Sequence, residues 1–301
     1  MTRVIGVLSG KGGVGKTTMV ANLGAALSYI FKKKVVLIDC NVTASHLRLH
    51  FGLYGKMAFT IEEVSEGAVP NNHSFHIHPS GLKIIPAPLA LDSKIDLKKI
   101  GELVKNLANS CDIVIFDCTP GLGREVISVC NAIDEALIVT APDIPSVTDA
   151  LRTINILEKL EIKITGIILN RFKGKNYDVT VDEIESICNV PVISVIPEDS
   201  KIPESILRGM PITLYDKNSK ISSKLEKLAA YLIGEEFSAP SLRDRIKSFF
   251  RPKKLEKTKE LADIEKLKTE LRERLKQDLE EKLIELRKKL SKTKTVPREK
   301  I

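Results

Sequence analysis

The sequence has no apolar run of about 18 residues, so no membrane-spanning helix is expected. No signal peptide is expected either, because the first apolar stretch leads straight into a glycine-rich loop. Cysteine is scarce and scattered. Cys40, Cys111, Cys118, Cys130 and Cys188 include no C-x-x-C pair, which argues against metal ligation and for reduced, buried thiols in a cytoplasmic protein. His73, His76 and His78 lie close together without a cysteine or an acidic ligand, so a solvated loop or strand is expected there rather than a metal site. Net charge is nearly absent from most of the chain. Residues 241–301 hold 21 Lys/Arg against 12 Asp/Glu, a net of +9, which leaves −1 of the total +8 for residues 1–240. The basic character belongs to the tail, where it bears on partners and not on the fold.

The 301 residues suffice for one large α/β domain with an appendage, and a hydrophobic content of 43% allows a full core. The chain is organised around Ser9–Thr18, S-G-K-G-G-V-G-K-T-T. An apolar run, Val4–Leu8, precedes it, and a helix-like stretch, Met19–Phe31, comes after it. Gly10, Gly15, Lys16 and Thr17 satisfy G-x-x-x-x-G-K-[ST], the pattern of a phosphate-binding loop between a strand and a helix. Its glycines let backbone N–H groups converge on phosphate oxygens, and the helix after it adds the positive end of its dipole. In such a loop Lys16 reaches the β/γ-phosphates and the Thr17 hydroxyl holds Mg²⁺.

Lys11 is not part of that general pattern. With it, Lys11, Gly12, Gly13, Val14, Gly15, Lys16, Thr17 and Thr18 resemble the deviant Walker A loop of the MinD/ParA family of ATPases. The resemblance implies ATP and Mg²⁺ as cofactors and a face-to-face homodimer in which Lys11 reaches the partner's nucleotide. The stretch S-G-L-K-I-I-P-A, residues 80–87, is similar to a strand of the MinD branch.

Lys34–Asp39 reads as a buried strand ending on an acid. Together with residues 40–53 it resembles the family's first switch, D-x-D then loop and helix. Asp39 matches the first acid. Asn41 stands where the family has the second, which orients or activates the attacking water. An amide hydrogen-bonds water but does not accept its proton as a carboxylate does, so slow turnover is expected. His46 and His50, in the helix-like part, are expected at the surface. Cys111–Asp117 is another apolar strand ending in aspartate, the pattern in which the acid holds Mg²⁺ through water. Gly121, in the second switch, allows the backbone to approach a γ-phosphate. Asn170-Arg171 end a later strand, and the resemblance puts an adenine-reading Asn there. It also makes Pro197 and Glu198 part of the adenine pocket.

Further apolar patterns predict a short helix at Ile61–Glu66 and a helix at Asp96–Asn109. They also predict strands at Ala136–Pro142, Ile164–Leu169 and Val192–Ile196, and helices at Ser146–Leu160 and Ser222–Ile233. Strands alternating with helices predict an α/β fold, a doubly wound, mostly parallel sheet with helices on both faces, over residues 1–234. A C-terminal helical extension completes the chain. Residues 235–254 read as a linker and a basic amphipathic segment, with Leu242, Ile246, Phe249 and Phe250 on one helical face. Such a segment suits an anionic membrane surface, and it resembles the membrane-targeting helix that ends the MinD branch. Residues 255–290 read as a long charged helix, a candidate coiled coil or binding helix for an unidentified protein. Its narrow stripe runs from Ile264 to Leu290 at about 3.7 residues per step. Residues 291–301 are expected to be disordered.

Several readings stay open. A MinD-like peripheral-membrane ATPase that positions other proteins fits the loop, the 80–87 stretch and the amphipathic segment. A ParA-like partition ATPase binding DNA nonspecifically fits the basic tail. A non-hydrolysing scaffold fits Asn41. An iron–sulfur cluster carrier of the same superfamily is opposed by the missing C-x-x-C.

Overall fold

The computed structural model describes residues 2–41, 45–54, 59–66, 68, 74–88, 99–108, 110–121 and 123–235. The chain divides into two units, residues 1–240 and 241–301. The amphipathic segment, the long charged helix and the terminal residues lie outside the described residues, as do His73 and residues 96–98 and 109.

Eight strands form one sheet in the order β3-β4-β2-β5-β1-β6-β7-β8. These are β1 (Arg3–Leu8), β2 (Val35–Asp39), β3 (His76–Ile77), β4 (Lys83–Ile85), β5 (Ile113–Asp117), β6 (Glu135–Thr140), β7 (Lys163–Phe172) and β8 (Val192–Pro197). All neighbours pair in parallel except β3 and β4. The antiparallel edge strand carries His76, and the nearby His78 ring packs edge-on against Phe51 with centroids 5.4 Å apart.

The central strands read as unbroken apolar runs because both faces of the sheet are covered. Val4 and Leu8 of β1, with Val114 and Phe116 of β5, enter one core. Ile5 and Val7, with Ile113 and Ile115, enter the other. The first core lies under α2 (Ile61–Ser65), α3 (Ile100–Leu107), α4 (Arg124–Cys130), α5 (Ile144–Lys159) and α6 (Val181–Cys188). The second lies under α1 (Lys16–Tyr29), a 3₁₀ turn at Leu47–Phe51, α8 (Ile212–Tyr215) and α9 (Lys220–Ile233). The remaining helix, α7 (Lys201–Leu207), comes after β8. All five cysteines are buried free thiols.

Most long helices start on a capping side chain. Asp143 accepts from the Ser146 N–H on α5, Thr180 and Glu183 form a capping box on α6, and Ser219 caps α9. Helix α1 differs. It begins at Lys16, not Met19, and ends at Tyr29, not Phe31. Its cap is Gly15 at φ 93°, with no side-chain hydrogen bond. The first-turn N–H groups of α1 are therefore left for a ligand instead of a side chain.

Candidate functional site

The carboxyl ends of β1, β2 and β5 meet at one point of the sheet edge. Val7 and Asp39 are both in register with Asp117, so the two carboxylates lie side by side on adjacent strands, fully buried. The chain leaves β1 there and turns through the glycine-rich loop into α1. Parallel topology thus places the loop, Asp39 and Asp117 together although they are far apart in sequence.

Backbone geometry explains the glycines. Gly13 and Gly15 have φ of 83° and 93°, a region that favours glycine. A Cβ on Gly15 would stand 2.2 Å from Asn170 Nδ2, and one on Gly10 would stand 2.2 Å from the Asp149 carbonyl oxygen. The loop is therefore pressed against β7 on one side and α5 on the other. Asn170 Nδ2 donates to the Val14 carbonyl at 2.7 Å, and Arg171 donates to the Gly13 carbonyl at 2.9 Å. Arg171 also pairs with Glu198 at 3.2 Å.

Lys16, on the first turn of α1, is buried and forms an ion pair with one oxygen of Asp117. Among the described residues, the other oxygen, Oδ2, is buried without a hydrogen-bond partner, as are Ser9 Oγ and Asn170 Oδ1. A buried carboxylate oxygen without a partner, on the acid that pairs with the residue preceding Thr17, suits a hydrated divalent cation, so these residues fit Mg²⁺. Burial and the Asp117 charge push the Asp39 carboxyl well above the ordinary carboxylate range. The Asn41 N–H at 3.0 Å and the Ser45 hydroxyl at 3.3 Å work in the opposite direction. The segments that follow β2 and β5 are tied to each other and to the glycine-rich loop. Gly121, at φ 91°, donates its N–H to the Ser9 carbonyl at 2.9 Å, and the Thr119 hydroxyl donates to the Cys40 carbonyl at 2.9 Å.

A cavity of about 600 Å³ opens over α1. Its floor is Gly12, Gly13, Val14, Gly15, Lys16, Thr17 and Thr18. Asn41, Asn170, Arg171, Pro197 and Glu198 also line it, so most of the residues singled out in the sequence converge on one space. Lys11 does not line it. It is exposed and lies 3.4 Å from Asp143, the cap of α5.

Two walls are built from residues that the sequence did not single out for binding. His46, Leu49 and His50 come from the 3₁₀ turn and the residue before it, and Ile202, Pro203 and Ile206 come from α7. His46 is exposed as expected, but His50 is buried. Burial lowers its pKa to about 4 against the attraction of Asp117, so the ring is neutral at pH 7. The reason for this correction is local. The 3₁₀ turn inserts Leu47 and Phe51 into the core beneath α1, and its other side faces the cavity. Arg48 is also buried and donates to the Leu53 carbonyl at 2.7 Å.

The CobQ/CobB/MinD/ParA nucleotide binding domain family matches residues 5–212. The chain belongs to this family. It is 34% identical to the septum site-determining protein MinD of Thermotoga maritima over 83% of this chain and 98% of that one. An ATP-binding protein of Methanocaldococcus jannaschii is also 34% identical, over 83% and 94%. Among solved structures, MinD of Pyrococcus horikoshii complexed with Mg-ADP is similar at a TM-score of 0.72 and 33% identity, covering 77% of this chain and 96% of that one. The MinD/ParA resemblance and the doubly wound α/β fold expected from the sequence are thus both met. Nucleotide binding is the property of this domain, with ATP and Mg²⁺ the cofactors of its family.

Proposed function

We propose that this MinD/ParA-family protein is a MinD-like ATPase switch. ATP binding drives homodimerisation, and the dimer controls reversible association with the cytoplasmic face of a membrane and the placement of a partner protein. The observation that carries this reading is the pair of loop lysines. Lys16 is buried against Asp117, whereas Lys11 is exposed, outside the cavity wall, and among the described residues pairs with Asp143 at the surface. An exposed pair of this kind is worth about 0–1 kcal/mol, so Lys11 is cheaply released toward a second molecule.

Within one subunit, the loop N–H groups and Lys16 bind the phosphates, and Asn170, Arg171, Pro197 and Glu198 surround the base. Thr17 and Asp117 are the residues that would hold Mg²⁺, which would neutralise phosphate charge there. Asn41 positions water without accepting its proton, so hydrolysis is slow. MinD of Aquifex aeolicus has been solved in complex with MinC, and it is 32% identical to this chain, a precedent for a protein partner. Here the 255–290 segment is the candidate partner-binding element. Residues 241–254 are the candidate membrane element.

The test is co-sedimentation of the full chain with anionic liposomes under ATP, ADP or no nucleotide, together with the double variant Phe249→Asp/Phe250→Asp. ATP-enhanced pelleting that the double variant loses supports the switch. No lipid binding in any nucleotide state rejects it. The +9 charge of residues 241–301 favours a second reading, nonspecific DNA binding, which ATP-dependent retention on duplex DNA would reveal.

A further inference from the structure

A second cavity, of about 480 Å³, lies at the opposite edge of the sheet. It is walled by the turn from α1 into β2, by the start of β4 and by Ser110 and Cys111 just before β5. Strand beginnings, not strand ends, surround it, so it is separate from the nucleotide site. Lys32, Lys33, Lys34 and Lys83 are among the residues that line it.

The charges of these lysines are unequally compensated. Lys33 pairs with Glu235 at 2.9 Å. Among the described residues, no carboxylate forms an ion pair with the ammonium of Lys32, Lys34 or Lys83. Lys83 lies 4.7 Å from the Phe75 ring centroid and Lys32 lies 4.8 Å from that of Tyr29. Ring contacts hold an ammonium in place without neutralising it. The nearby Asp112 carboxylate is engaged by the backbone N–H of Lys34 at 2.7 Å. Lys32 is moreover held at φ 56°, a costly conformation for a residue with a side chain, and the next residue, Lys33, donates its N–H back to the Leu27 carbonyl at 3.0 Å. Like charges gathered around a concave space repel one another, and they raise the local concentration of a multivalent anion.

We propose that this cavity binds a terminal phosphate group, either inorganic phosphate or the phosphomonoester headgroup of a membrane lipid. A phosphomonoester carries a charge near −2 at neutral pH, which matches three uncompensated ammonium groups better than a singly charged diester does. The site also lies beside Glu235, the last described residue before the basic tail, through the Lys33 pair. The proposal does not depend on the nucleotide switch.

The test uses the full chain saturated with Mg-ADP, so that the phosphate loop is filled. Inorganic phosphate is titrated while the amide resonances of Lys34 and Gly81 are tracked, and binding is measured in parallel by calorimetry. The expected result is saturable binding that shifts both amides. Lys32→Gln/Lys34→Gln/Lys83→Gln should weaken it at least fivefold, and the corresponding triple arginine variant should retain it. ADP affinity should be unchanged in both. Amides that stay in place throughout the titration, or a glutamine variant that binds as the wild type does, would overturn the proposal. The basic tail contributes equally to wild type and variant, so their difference isolates the cavity. Vesicles containing phosphatidic acid are then compared with charge-matched phosphatidylglycerol vesicles. A phosphatidic acid preference lost in the glutamine variant assigns the lipid source, and equal pelleting alongside retained phosphate binding assigns the soluble one.

Discussion

Lys16 and Asp117 form an ion pair in the protein interior, one on the first turn of α1 and the other at the end of β5. The pair holds the lysine of the phosphate loop and the candidate metal acid against each other. Nucleotide binding must therefore exchange one charge partner for another, not fill an empty space. Removing one member leaves the other buried and unpaired beside Asp39. Lys16→Met should destabilise the nucleotide-free protein by about 3 kcal/mol, and adding Asp117→Asn should recover most of that loss. Urea unfolding of the two variants checks this. Equal stability of Lys16→Met and wild type would show that the pair carries no such weight.

Asn41 is buried at the cavity wall and donates its N–H to Asp39. Asn41→Asp supplies a carboxylate where the resemblance to the family's first switch expects one. Steady-state phosphate release should rise at least about tenfold, within the range for adding a general base. An unchanged rate removes the assignment of slow turnover to this residue.

Lys11→Ala should leave ADP affinity within about twofold of wild type, since the side chain is outside the cavity wall and its contact is with Asp143. The same variant should lose ATP-dependent dimerisation, measured by light scattering on a sizing column. A variant that still dimerises with ATP would sink the trans role.

Two buried groups predict opposite pH responses. Burial raises Glu226 on α9 from 4.5 to about 7, partly offset by Lys217. The fold therefore prefers its protonated form. That stability is complete below about pH 4.5 and is lost as the pH rises through about 7. Glu226→Gln should add ~2 kcal/mol at pH 8 and nothing near pH 4. His50 behaves inversely, because its pKa falls from 6.5 to about 4. Its neutral form contributes stability above pH 6.5 that is lost as the pH drops through about 4, and His50→Gln should flatten that limb. Thermal melts across pH 4–8 separate the two.

Much of the fold was legible because burial on both faces of the sheet leaves β1, β2, β5 and β6 as apolar runs, each bounded by a turn or an acid. The loop was legible because glycine suits the backbone at φ 83° and 93°, and at Gly15 no side chain fits against Asn170. The wall from the 3₁₀ turn was not. Five residues are too few to show a period, and a histidine there looks solvated until tertiary packing covers it. The Asn170 contact with Val14 joins positions 156 apart in the chain, which no local pattern encodes. The family resemblance brought Asn170 forward, but as a reader of the base. The structure adds that it braces the loop.

The bonds from Gly121 to Ser9 and from Thr119 to Cys40 make a yoke of three loops that arise from three different strands. A yoke transmits displacement in either direction. Whatever draws the Thr119–Gly121 segment toward a phosphate also pulls on the loop that carries Lys11 and on the backbone beside Asn41. A protein that gripped the Thr119–Gly121 segment from outside would therefore act on the loops bordering the nucleotide cavity without entering it.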